Sequence, residues 1–381
     1  MHKIFISAGE ASGDILGANL IKELDKDKDN TYKFFGIGGD KIENAGKFQS
    51  LFPMSELSIT GYVEVIGKIW KLIYYLIKTI VYIRKIKPDM VITIDSPGFN
   101  FIFVKYARKF LKNKSVFIHY VAPTVWAYNP QRAIKTAKLF DHMLLLFPFE
   151  KKYFDEVGLK CSYVGNPHLQ NWKPITDENK SEIKEKYKIK KQKTIGIIAG
   201  SRLNELKYHI PVLIDTINMI NSFYKEENIT FIIPTLKHLE GEIKKRFCMK
   251  NVIISSDENT KNELLNICDL ILCKSGTSVL ESMSKMIPII VFYKMNSYTA
   301  SLIKKKLMIK YVTICNHVMN KSIIPELLQD DFNPKNLFEF VQKFLDSREK
   351  KHVLIEEYKA FFDQINKSKI TNITTVIKNH F

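Results

Sequence analysis

Four stretches of this chain set small, hydroxyl-bearing and charged residues directly after an apolar run, as a strand-to-helix turn that holds a polar ligand requires. The first is Gly9-Glu10-Ala-Ser12-Gly13-Asp14, following Lys3 to Ser7. Gly9 and Gly13 carry no Cβ, so the backbone there can turn tightly and come close to a ligand. Free N–H groups at the start of the following helix suit a phosphate or the polar edge of a sugar. The same residues also suit a bare strand-to-helix connection, and their spacing is not the glycine fingerprint of dinucleotide binders. The second stretch, Asp95-Ser-Pro-Gly98-Phe-Asn100, puts a carboxylate at the tip of an apolar run, with Asn100 beside it. A partly desolvated carboxylate suits a general base that takes a hydroxyl proton, and equally an N-cap.

The other two stretches lie in the second half. Ala199-Gly200-Ser201-Arg202-Leu-Asn-Glu205 pairs backbone N–H groups with a guanidinium, a good pyrophosphate clamp. Lys274-Ser275-Gly276-Thr277-Ser278-Val-Leu-Glu281 repeats the design, with Glu281 one turn into the helix, placed to accept from the two hydroxyls of a ribose. Either turn alone would also serve as a plain βα loop. An aromatic loop, His119 to Tyr128 with Trp126 inside it, suits sugar rings, acyl chains or a domain interface. No metal constellation accompanies them, since His119, His142, His168 and His317 fall on different elements, and no cofactor is expected.

The elements that carry these stretches alternate. Strands are predicted over Lys3–Ser7, Lys33–Ile37, Met90–Asp95, Val116–Val121 and Met143–Phe147, then over Thr194–Ala199, Thr230–Pro234, Val252–Ser255, Leu270–Cys273 and Ile289–Tyr293, with helices between. That predicts an α/β protein of two Rossmann-like parallel-sheet domains facing across a cleft, with C-terminal helices. The expected boundaries are 1–170 for the first domain, 171–193 for a lysine-rich linker, 194–345 for the second domain and 346–381 for a helical tail. From Val63 to Ile86 runs an apolar helical pattern broken by lysines, so it is no transmembrane span. Its wide apolar arc serves either as a core helix or as a helix that also dips into a bilayer interface.

The formal net charge of +18 points to an anionic partner, although six of the 58 basic residues are arginine and lysine drift explains part of the excess. A nucleic-acid-binding protein would show arginine-bearing patches and a recognised module, and neither is present. Cys161, Cys248, Cys268, Cys273 and Cys315 follow no pairing or metal spacing, which suits a reducing cytoplasm, and the N-terminus reads as a first strand rather than a signal peptide.

Together with Pro148-Phe-Glu150, Val164-Gly165 and Pro325-Glu-Leu-Leu-Gln329, the stretches quoted above resemble, in the same order, those of the lipid-A-disaccharide synthases, which are GT-B-type glycosyltransferases. The resemblance runs from Met1 to about residue 345. It implies a metal-free, inverting transfer of 2,3-diacylglucosamine from UDP-2,3-diacylglucosamine to the 6-hydroxyl of 2,3-diacylglucosamine 1-phosphate (lipid X), at the inner face of the inner membrane. Asp95 matches the catalytic carboxylate, with Glu10 and Asp14 as fallbacks. Gly9, Ser12, Gly13, Asn100 and Trp126 match substrate-side positions, and Gly200, Ser201, Arg202, Ser275, Gly276, Thr277, Glu281 and Asn316 match donor-side ones. Lipid substrates give the apolar arc a purpose: Val65, Ile66, Ile69, Leu72 and Ile73 are expected to face the membrane, with Lys304, Lys305 and Lys306 near anionic lipid. Departures from the family pattern are Ala199 in place of a proline, Gly98 in place of a second acid, and a missing glycine near Asn320. A related nucleotide-sugar transferase or epimerase with another acceptor is the alternative within enzymes, and a homodimer through the helical tail stays open.

Overall fold

The computed structural model describes residues 1–27, 29–57, 62–111, 114–170, 175–190, 193–225 and 228–381, with the side chains of 62–68, 168 and 170 left aside. The chain divides into two compact units, Met1–Asn166 with Ser368–Phe381, and Pro167–Lys367. Each holds one parallel six-stranded sheet, which bears out the α/β class with two Rossmann-like domains.

In the first unit β1 (His2–Ala8), β2 (Tyr32–Ile37), β3 (Met90–Ile94), β4 (Val116–Tyr120), β5 (His142–Leu145) and β6 (Cys161–Tyr163) lie in the order β2-β1-β3-β4-β5-β6. Both faces are covered, so the strands read as nearly unbroken apolar runs. Alternate side chains serve opposite faces. Ile4, Ile6, Met90, Ile92 and Ile94 pack with Leu16, Leu20, Ile21 and Leu24 of the helix Ala11–Asp25. Phe5 and Val91 pack with Phe103, Val104 and Ala107 of the helix Pro97–Leu111.

The second unit repeats the plan with β7 (Lys193–Ile198), β8 (Ile229–Pro234), β9 (Val252–Ser255), β10 (Leu270–Lys274), β11 (Ile289–Tyr293) and β12 (Glu326–Leu328), ordered β12-β11-β10-β7-β8-β9. Ten strands match the sequence expectation to within a residue or two. The edge strands β6 and β12 were not anticipated, because three residues are too few to show a period.

The strand order fixes where ligands can sit. From β1 the chain goes outward to β2 and then crosses to β3 on the other side; from β7 it goes out through β8 and β9 and crosses back to β10. In open parallel sheets the crevice outside the carboxyl ends at such a reversal is the ligand site. All four glycine-bearing stretches follow β1, β3, β7 and β10, the strands flanking the two reversals.

The helical tail splits. Helices Pro334–Asp346 and Arg348–Asn366 belong to the second unit, where Tyr358, Phe361, Phe362 and Ile365 are buried. The helix Ile373–Lys378 packs on the first, with Val376 and Ile377 in the core. Lys378 pairs with Asp27 at 2.7 Å and Asp29 at 3.0 Å, and the Phe381 ring stacks on His2. The apolar faces considered for a dimer thus fold back onto this chain.

Candidate functional site

At the first reversal the turns after β1 and β3 press together. A Cβ on Gly9 would stand 2.6 Å from Ser96 Oγ, so any side chain there pushes the turns apart. Asp95 and Ser96 both have left-handed backbones, φ +50° and +46°, an arrangement unfavourable for side-chain-bearing residues and found where a surrounding framework enforces it. The framework is visible: Asp95 N–H donates to Tyr120 O at 3.0 Å, and Ser96 N–H to Asp95 Oδ1 at 2.8 Å. Asn100 is fully buried and spends its side chain on the same knot. Its Oδ1 accepts from Ser7 Oγ at 2.7 Å, and its Nδ2 donates to Asp95 O at 2.8 Å. Asn100 thereby ties the Asp95 backbone to the end of β1. Gly98 has open space where a Cβ would be, so a second acid there is sterically allowed and simply absent.

The two fallback acids differ. Asp14 is buried, and its carboxylate accepts the N–H groups of Gly39, Lys41 and Ile42 at 2.8, 3.0 and 3.1 Å, capping the helix Asp40–Ala45. With both oxygens engaged by backbone, it anchors the fold. Glu10 is half-buried at the entry to the helix Ala11–Asp25, and Ser12 and Gly13 sit in that helix's first turn.

The aromatic loop turns inward. Trp126 is buried, with its ring edge-on to Phe149 at 5.5 Å, close to the buried Glu150. Burial pushes the Glu150 carboxyl up to about 8, against the lowering effect of bonds from the Phe147 and Leu146 backbone and of the nearby Trp126. Of this loop Tyr128, not Trp126, is the ring open to solvent.

At the second reversal Gly200 has φ +149°, and a Cβ there would meet Glu205 at 2.9 Å. The turn is thereby laid on Glu205, which accepts Ser201 N–H at 2.9 Å. Arg202 opens the helix Leu203–Tyr224, its guanidinium 3.9 Å from Glu205. His209, one helical turn further and fully buried, bonds Ala199 O at 2.7 Å and Lys294 N–H at 3.1 Å, tying the tips of β7 and β11. Burial lowers its pKa, consistent with a neutral ring that donates at one nitrogen and accepts at the other. After β10, Ser275 donates its N–H to Phe292 O at 2.9 Å, Gly276 and Thr277 are exposed, and Glu281 is half-buried in the helix Ser278–Ser284.

Asn316 is fully buried and away from solvent. Its Oδ1 accepts from Ile323 and Ile324 N–H at 3.0 and 2.8 Å, and its Nδ2 donates to Ile324 O and Glu326 Oε1 at 2.8 and 2.9 Å. Glu326, from the Pro325 to Gln329 stretch, also caps Val312 and Thr313. Asn320 ends the helix Ile314–Met319 with φ +47°; asparagine tolerates that conformation, which explains how the glycine can be missing.

On the helix Tyr62–Ile86, Ile69 and Ile73 are exposed, and Trp70, Tyr74, Ile77 and Val81 extend their stripe. Leu72 is a correction: it packs with Tyr75, Leu76 and Ile80 against the core, because its position on the 100° helical period falls on the inner face. Val65 and Ile66 lie on the same helix, but their side chains are among those left aside. Among the described residues no helix is long and apolar enough to cross a membrane, and no cluster of His, Cys, Asp or Glu could hold a metal ion.

Sequence reading quoted Glu205, Lys274, Glu150 and Glu326 inside motifs without giving them work, and it missed His209. An acidic residue just inside a helix after a glycine turn was the available signal for Glu205. Nothing local marks His209.

The family model described as lipid-A-disaccharide synthetase matches residues 4–377. The lipid-A-disaccharide synthase of Rickettsia canadensis (strain McKiel) is 37% identical over 370 residues, covering 96% of this chain and 93% of that one. The Rickettsia prowazekii (strain Madrid E) enzyme of the same name is 34% identical over 390 residues, covering both chains completely. In fold, the chain is similar to UDP-GlcNAc 2-epimerase from Neisseria meningitidis, solved with UDP-GlcNAc bound, at a TM-score of 0.64, 15% identity, and coverage of 96% and 100%.

Proposed function

The chain belongs to the lipid-A-disaccharide synthetase family, and from that premise we propose that it joins UDP-2,3-diacylglucosamine to lipid X, releasing UDP. It is a glycosyltransferase of lipid A biosynthesis; the division of labour among its residues is our reading. The observation that carries it is the placement of all four glycine-bearing stretches at the carboxyl ends of the strands flanking the two sheet reversals.

In the first unit, the Asp95 carboxylate takes the proton of the acceptor 6-hydroxyl as that oxygen bonds to the donor's anomeric carbon. The bond from that carbon to the diphosphate breaks, its electron pair leaves on UDP, and the configuration inverts through an oxocarbenium-like transition state. Glu10, next to Gly9 in the turn after β1, is the second carboxylate to be tested. In the second unit, Gly200 to Arg202 and Ser275 to Thr277 hold the diphosphate, where the guanidinium and backbone N–H groups stabilise the departing charge, and Glu281 receives the ribose. No metal enters this scheme, in keeping with the family resemblance.

The test is UDP release by the purified protein in detergent and chelator, with and without lipid X. Acceptor-dependent release that survives the chelator is expected. Donor binding without release would mean a different acceptor, and release restored only by added divalent ion would overturn the metal-free scheme.

We place the protein in the cytoplasm, peripherally on the inner face of the inner membrane. The exposed stripe of Ile69, Trp70, Ile73, Tyr74, Ile77 and Val81 supports this, since such an apolar helix face calls for an interface to cover it. Lys304, Lys305 and Lys306, all exposed, suit an anionic surface. Trp70→Glu with Ile69→Glu is expected to lower binding to anionic liposomes at least about 10-fold, from the loss of roughly 1.5–3 kcal/mol per buried side chain. Flotation equal to the parent's would remove the stripe from the scheme.

A further inference from the structure

Lys274 joins the two turns of the second unit. It ends β10, and its ammonium lies 3.0 Å from Oε1 of Glu205, a residue 69 positions earlier. The lysine side chain is 14% exposed and the glutamate's 6%. On its other side the ammonium comes within 3.2 Å of where a Cβ of Gly276 would stand, so it lies against the backbone of the second turn. One cation therefore reaches both turns beside the β7/β10 reversal.

The carboxylate it rests on gathers the first turn as well. Glu205 accepts Ser201 N–H and stands 3.9 Å from Arg202 Nη1. Burial raises its pKa, but the Lys274 charge and the Ser201 and Lys274 bonds outweigh burial and hold it below the usual range. A pair this buried contributes little net stability, because desolvating both charges offsets their attraction. Its arrangement makes more sense as placement: two cations and a backbone N–H are assembled around one anion, at the spot where a phosphate would need them.

Resting on the reading of this crevice as the donor site, we propose that Lys274 binds the diphosphate of the UDP-sugar and stabilises the leaving UDP, with Glu205 as the positioning residue that presents it. When the bond from the anomeric carbon to the diphosphate breaks, the electron pair settles on the terminal phosphate oxygen. A preset ammonium there meets the new charge without reorganisation. Lysine acts as a point charge in this role, and the backbone of Ser275 to Thr277 sets the orientation.

The experiment compares UDP with uridine binding to the full chain by calorimetry, since uridine lacks only the diphosphate. Lys274→Met is expected to weaken UDP about 10- to 100-fold, the cost of a lost charged hydrogen bond, while leaving uridine unchanged. Lys274→Arg is expected to recover much of that loss. Should the single variant fold poorly because Glu205 is left buried and unpaired, Lys274→Met/Glu205→Gln removes both charges and the UDP-to-uridine ratio is read there. Glu205→Gln alone keeps the cation but releases it, and is expected to lower kcat for UDP release more than it weakens UDP binding. A UDP-to-uridine ratio equal to wild type in the Met variants overturns Lys274 as a ligand, and a wild-type kcat in Glu205→Gln overturns the positioning role. If wild type binds neither compound, the donor reading itself fails instead.

Discussion

Replacing Asp95 with Asn is expected to lower acceptor-dependent UDP release by about 10²- to 10⁴-fold, the range for removing a general base. The amide matches the carboxylate in shape and keeps an oxygen for the Ser96 N–H, so the left-handed turn and the Asn100 knot stay intact. What it loses is the capacity to take a proton. UDP affinity is expected to remain at the wild-type value, because the donor turns belong to the other unit. Glu10→Gln, measured alongside, is the control: if Asp95→Asn retains activity and Glu10→Gln does not, the base is Glu10. Asp14 needs no place in that comparison, since three backbone N–H groups already claim its carboxylate.

The second large effect is on stability. Asn316→Ala removes four hydrogen bonds, three of them buried, and leaves two N–H groups and a carbonyl of residues 323–324 without that partner. At about 1–3 kcal/mol for each orphaned group, and allowing for relaxation, the loss is roughly 3–5 kcal/mol. That corresponds to a fall in melting temperature on the order of 10 °C for a unit of this size. UDP binding measured well below the transition is then expected to be near normal. A variant that melts like wild type yet has lost UDP would return Asn316 to the donor site.

These cases show how far local sequence carries. Residue type and the period of two or 3.6 identified ten strands and the helices between them, because burial on both faces of a parallel sheet leaves a continuous apolar run that needs no partner to be read. The same pattern put each glycine-bearing turn at the carboxyl end of a strand. That Asp95 ends a strand, and that Gly200 to Arg202 opens a helix, were therefore legible from the chain alone.

What each polar side chain does there was not legible, because its partners are distant in sequence. Asp14 caps a helix some 25 residues away, Asn100 locks a serine 93 residues back, and Glu205 meets Lys274 across 69. A carboxylate's type announces that it can accept, not from whom, and only the packed fold chose between a ligand and the backbone. Strand order is likewise invisible to periodicity, yet it is the order β2-β1-β3 and β10-β7-β8 that brings paired turns together at one crevice in each unit. The return of residues 368–381 to the first unit is the same kind of fact: Val376 and Ile377 announce an apolar face, and the tertiary structure alone supplies the surface it covers.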